Sequence, residues 1–196
     1  MPTSIACLGR ITSILSGILF VCAHSLKLGG GEQGNVFGSL LVFVAHLLLV
    51  FAFFGLYTQQ GDRNGLVGFF AILLGVIGNI IVTAIVFVEI AQASGEKIDD
   101  VFTTSVTEPI YSFGPLLFVI GMILLGVSMI SGKVFPAFSG YLLLIGTIVF
   151  AAASVSGDSQ KMVEVIGSLF TGAGFIAAGI KFKASSEMES SSVRVR

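Results

Sequence analysis

Charge is almost excluded from long reaches of this chain. Residues 11–26 give 16 uncharged positions, residues 36–57 give 22, and residues 65–88, 109–132 and 134–157 give 24 each. A charge near the centre of a bilayer is expensive, and a helix needs about 20 mostly apolar residues to cross one. These runs therefore predict membrane helices. Composition agrees, with 55% of residues hydrophobic and 11% charged, whereas a soluble domain carries roughly 25% charged residues. The net charge of −1 offers no broad attraction to nucleic acid.

The expected fold is an all-α polytopic membrane bundle of about six helices with no separate soluble domain. The predicted spans cover residues 5–26, 36–57, 65–89, 110–132, 134–157 and 161–183, with 184–196 as a disordered tail. The first span needs Arg10 to reach the interface from its first turns. A cleavable signal peptide would have the same shape, but the apolar runs that follow favour a retained helix. The Gly-rich stretch 29–34 predicts a flexible turn, and the polar stretch 59–65 predicts another. Pro115 is expected in the first turns of its helix, where a missing N–H costs little.

Orientation follows from the cations. With six spans, Arg10, Arg63, Lys133, Lys181, Lys183, Arg194 and Arg196 share one side, and Lys27, Lys97 and Lys161 the other, seven against three. The positive-inside rule then places both termini in the cytoplasm of a cell (inner or plasma) membrane. Cys7 and Cys22 are 15 residues apart on one predicted helix, about 22 Å by helix rise. That is too far for a disulfide, and the absence of any Cys-x-x-Cys pair leaves a redox or structural zinc site without support.

Three groups of residues stand out. His46 falls mid-span in the second helix and Asn79 at similar depth in the third, with Thr83 one turn further. Intramembrane ionisable groups lean functional, so these are candidates for ligand binding or proton relay. His24, Glu89 and Glu164 lie at one rim, near Asp99 and Asp100, and one His with carboxylates is a weak divalent-metal signal. Gly75, Gly167, Thr171 and Gly174 belong to small-residue stripes, which let helices approach closely. A haem between His24 and His46 is disfavoured by a depth mismatch of about 10 Å by helix rise.

Catalytic signatures are missing. The chain has no Gly-x-Ser-x-Gly, phosphate loop, His-Glu-x-x-His or mid-span carboxylate, so it reads as non-catalytic. Residues Phe113-Gly114-Pro115-Leu116-Leu117, Gly121, Gly126, Lys133-Val134-Phe135-Pro136 and Gly140-Tyr141-Leu142-Leu143 form a pattern that resembles a hairpin of small uncharacterised multi-pass bacterial membrane proteins. The resemblance covers about a quarter of the chain; it implies a bacterial membrane and carries no activity or cofactor. The leading expectation is a partner subunit, assembly factor or lipid-binding scaffold, with the bilayer, a membrane protein or a second copy as partner. A small solute or ion transporter using His46 and Asn79 is the first alternative, and a haem- or metal-binding redox protein the second.

Overall fold

The computed structural model describes residues 2–29, 31–96 and 98–181. The tail expected over 184–196, together with Lys97, Lys183, Arg194 and Arg196, lies outside them. The described chain is all helical: α1 (Pro2–Gly29), α2 (Gly31–Gln60), α3 (Gly65–Ala93), α4 (Thr107–Gly132), α5 (Ala137–Ala153) and α6 (Gln160–Ile180), with short 3₁₀ turns between some of them. Four stretches are long and apolar enough to cross a membrane: Ser4–Gly29, Asn35–Ala93, Thr107–Gly132 and Gly157–Ile180. The second of these contains both α2 and α3. Large apolar side chains such as Leu66, Phe87 and Phe113 stay exposed around the bundle, as a lipid-facing surface requires.

Several helix boundaries differ from those read in the sequence, each for a local reason. The Gly-rich stretch is no extended turn, because α2 begins at Gly31. Glycine disfavours helix by about 1 kcal/mol relative to alanine, a preference that packing of a long apolar helix overrides. Upstream of the predicted fourth span, the Thr104 hydroxyl accepts from the Thr107 N–H at 3.1 Å, and α4 starts at Thr107 with Glu108 in its first turn. Pro115 is consequently inside the helix and cannot donate to the carbonyl four residues earlier. The fifth helix is 17 residues long, about 25 Å, and shorter than its uncharged run. Ser154 and Ser156 turn back onto the carbonyls of Ala151 and Ala152 at 2.9 and 2.7 Å, and Gly157 takes φ 53°.

The helices form a closed ring. Each packs on its neighbours in sequence, and α6 closes against α1. Paired glycines make several seams narrow. A Cβ on Gly9 would strike the backbone of Gly55 (α1–α2), one on Gly121 the backbone of Gly75 (α4–α3), and one on Gly17 the Gly172 carbonyl (α1–α6). In the absence of a hydrophobic drive between helices in lipid, such close van der Waals contact is a main source of cohesion.

The two ends of the ring differ. At the Arg63 end a polar cluster ties α2, α3 and α4 together. Gln60 Nε2 donates to Asn64 Oδ1 at 3.2 Å and to Ser128 Oγ at 3.3 Å, Asn64 Nδ2 donates to the Tyr57 and Gly61 carbonyls at 2.7 and 2.6 Å, and Arg63 reaches the Gly132 carbonyl at 3.3 Å. The turn from α2 into α3 depends on Gly65, whose φ of 54° and ψ of −162° are accessible essentially to glycine alone. A Cβ there would meet nothing within 4 Å, so substitution isolates the backbone term. Gly65→Ala is expected to destabilise the fold by about 1–3 kcal/mol, read as a lowered unfolding midpoint in detergent; an unchanged midpoint would show that this backbone conformation is not required. At the opposite, Lys27 end, the ring opens into a cavity.

Candidate ligand-binding site

The ring encloses a cavity of about 480 Å³ to which all six helices contribute. This lies within the roughly 300–1,000 Å³ usual for small-molecule sites. The lining residues recur at three- and four-residue spacing, one face per helix: Phe20, His24 and Lys27 on α1; Val42 and His46 on α2; Val82, Val86 and Glu89 on α3. Further round the ring come Tyr111, Pro115, Phe118 and Met122 on α4; Thr147 and Phe150 on α5, with Ser154 just past its end; and Glu164, Ser168 and Thr171 on α6. Tyr111 and Ser154 are exposed at the Lys27 end, whereas His46, Met122 and Thr147 are buried. The cavity thus descends from an open rim to mid-bundle.

His46 forms its floor. Its Nδ1 lies 2.7 Å from Asn79 Oδ1, and Asn79 Nδ2 donates to the His46 main-chain carbonyl at 2.7 Å. A carbonyl only accepts, so the amide nitrogen of Asn79 must face it and the amide oxygen must face the ring. Nδ1 is therefore the protonated nitrogen, and a neutral His46 carries a bare lone pair on Nε2. Phe20 and Phe118 meet the ring edge-on, with centroids 5.1 and 5.3 Å away. Asn79 is fully buried and is not itself a lining residue; it acts through His46. Thr83 stands apart, its hydroxyl donating to the Asn79 carbonyl of its own helix at 2.7 Å.

The rim holds the second group. His24 is 4% exposed, and neither ring nitrogen has a hydrogen-bond partner. Its Nδ1 is 3.4 Å from Glu164 Oε2, an ion pair only when the ring is protonated, and the contact lies outside hydrogen-bond geometry. Gln160 Nε2 donates to the other Glu164 oxygen at 2.9 Å. Glu89 lies within electrostatic reach of Lys27, Glu164 and His24. Among the described residues, no three His, Cys, Asp or Glu are placed to hold a metal ion, so His24, Glu89 and Glu164 do not form a preassembled ligand set.

The structure thus joins two groups that the sequence keeps apart by depth. His24 and His46 line one cavity, and Phe20 bridges them, stacked on His24 at 6.3 Å while its edge contact reaches His46. The packing candidates lie at helix seams, and of them Thr171 also lines the cavity. A Cβ on Gly75 would press on Phe53, one on Gly167 on Phe150 and one on Gly174 on Leu143, while Thr171 fills the space beside Gly146. Sequence reasoning missed Phe20, Lys27, Phe118 and Phe150. The signal was available for the first two, because positions 20, 24 and 27 repeat on one helical face. No protein-family model matches the chain, and no curated protein or solved structure shows significant similarity to it.

Proposed function

We propose that this chain is a multi-pass protein of the cell membrane, with both termini cytoplasmic, that binds a small molecule in the central cavity as part of solute handling rather than catalysis. One observation supports this reading above the others: a cavity of ligand size, walled by every helix of the ring and floored by a histidine whose tautomer is held by Asn79. A partner subunit or scaffold needs packed faces, and these are plentiful; it has no need of a hollow centre with polar groups at both ends. A cavity closed at the Arg63 end by the Gln60, Asn64 and Ser128 cluster is what one access state of a carrier requires.

Native mass spectrometry on the protein purified from its own membranes in mild detergent tests this. The chain should carry a non-covalent adduct of discrete mass. Met122, 1% exposed and part of the cavity wall, supplies the control. Met122→Trp fills the space and should lower adduct occupancy about tenfold, equivalent to some 1.4 kcal/mol. A bare chain, or an adduct indifferent to this substitution, would overturn the reading.

A further inference from the structure

The donor and acceptor balance of the cavity points to a class of ligand. We infer that it takes a molecule with an apolar body and a protonated amine, the amine lodging between Glu89 and Glu164 at the Lys27 end; this rests on the cavity-binding function proposed above.

Acceptors dominate the cavity. His46 Nδ1–H is committed to Asn79, so Nε2 offers a lone pair. The hydroxyls of Thr147, Ser168 and Ser154 donate to their own helices, to the carbonyls of Leu143, Val165 and Ala151 at 2.7, 2.7 and 2.9 Å. What each of them turns to the cavity is oxygen lone pairs. Glu89 and Glu164 add carboxylates, which accept only. His24 is the clearest sign of a missing partner: an imidazole 96% buried by its 4% exposure, lining the cavity, with both nitrogens unpartnered. In the neutral tautomer that turns Nδ1–H toward Glu164, its Nε2 is a further acceptor. Against these stand one cationic donor, Lys27, and the hydroxyls of Tyr111, Ser112 and Thr171, fewer than the acceptors they face. A buried polar group without a partner is destabilising, so the ligand that relieves this site brings donors.

Charge gives the same answer. With Glu89 and Glu164 both ionised and the histidines neutral, Lys27 offsets one of the two carboxylates and one negative charge remains. Phe20, Phe118 and Phe150 stand between rim and floor, and aromatic faces attract cations. An ammonium group satisfies both demands: it donates up to three hydrogen bonds and supplies the missing positive charge. A ligand carboxylate would add acceptors and repulsion, and an alcohol would supply a donor without the charge.

The test uses three probes that share one apolar body: 4-phenylbutylamine, 4-phenylbutanol and 4-phenylbutyrate. Each is titrated calorimetrically into the full chain in mild detergent at neutral pH. Only binding lost in Met122→Trp is counted, which removes partition into the micelle. The amine should bind about tenfold more tightly than the alcohol, as a charge-assisted bond adds roughly 1.4 kcal/mol, and the carboxylate should bind weakest. Glu164→Gln and Glu89→Gln should each weaken the amine about fivefold and the alcohol by less than about twofold, and unchanged circular dichroism spectra show that the variants are folded. If the alcohol equals the amine, or the carboxylate binds best, the amine class is wrong and the cavity-binding function stands. If none of the three shows binding that Met122→Trp removes, the cavity-binding function itself fails.

Discussion

Gly121→Ala is expected to destabilise the bundle by about 2–3 kcal/mol, although alanine is the better helix former by about 1 kcal/mol. The reason is the α3–α4 seam. A Cβ on Gly121 would overlap the Cα and N of Gly75, and backbone cannot turn aside as a flexible side chain can. Relief requires the two helices to separate, which removes contact along the whole seam, including the approach of Gly78 to the backbone of Phe118. Gly29 provides the comparison, since a Cβ there meets nothing within 4 Å; Gly29→Ala should change stability by less than about 0.5 kcal/mol. Unfolding of both variants in detergent, followed by circular dichroism, measures the difference. Equal stabilities would mean that α3 and α4 are not in backbone contact.

Asn79→Leu has the second large effect, on stability and on the cavity at once. It deletes both 2.7 Å bonds of the clasp and leaves the Nδ1–H of a buried imidazole without an acceptor. The expected loss is about 2 kcal/mol. This exceeds the average of about 0.6 kcal/mol for coupled side-chain hydrogen bonds in a membrane protein, because the orphaned donor has no water to turn to. A double-mutant cycle with His46→Phe isolates the pair: once the imidazole is gone, Asn79→Leu should cost about 1–2 kcal/mol less than it does in the native background. Ligand affinity should fall with it, since Nε2 no longer has to be the acceptor when the ring is free to change tautomer. Additive costs would mean that Asn79 holds helices together without setting the state of His46.

How much of this was legible in the sequence differs between fold and site. The helices were, because exclusion of charge from bilayer-length runs is a property of single positions along the chain. Helix ends were less so. Serine and glycine are uncharged, so a count of uncharged residues runs through Ser154, Ser156 and Gly157, whereas the backbone uses them to stop α5. Pro115 was misplaced for a related reason, because the signal that starts α4 is a threonine hydroxyl upstream and not a change in hydropathy.

The candidate site was visible only in pieces. His46, Asn79, His24, Glu89 and Glu164 stand out as polar residues in apolar runs. Their union in one cavity depends on the ring order of six helices, which no single helix encodes. The aromatic walls were hidden by abundance: among 18 phenylalanines, those facing inward, such as Phe118, differ from lipid-facing ones such as Phe87 only in which side of the helix they occupy.

The α1–α6 seam gives the ring a direction in time. Every other seam joins helices that follow one another in the chain and can form as soon as the second of them is made. The contact of Gly17 with Gly172 waits for the last helix, and a loop spanning most of the chain must close before it forms, the most costly closure in the fold. Until α6 docks, His24 has no Glu164 beside it and the cavity lacks a wall. During synthesis, then, five helices precede the one that completes the ring. The final step of assembly is also the step that closes the cavity, so a chain that stops short of α6 lacks it.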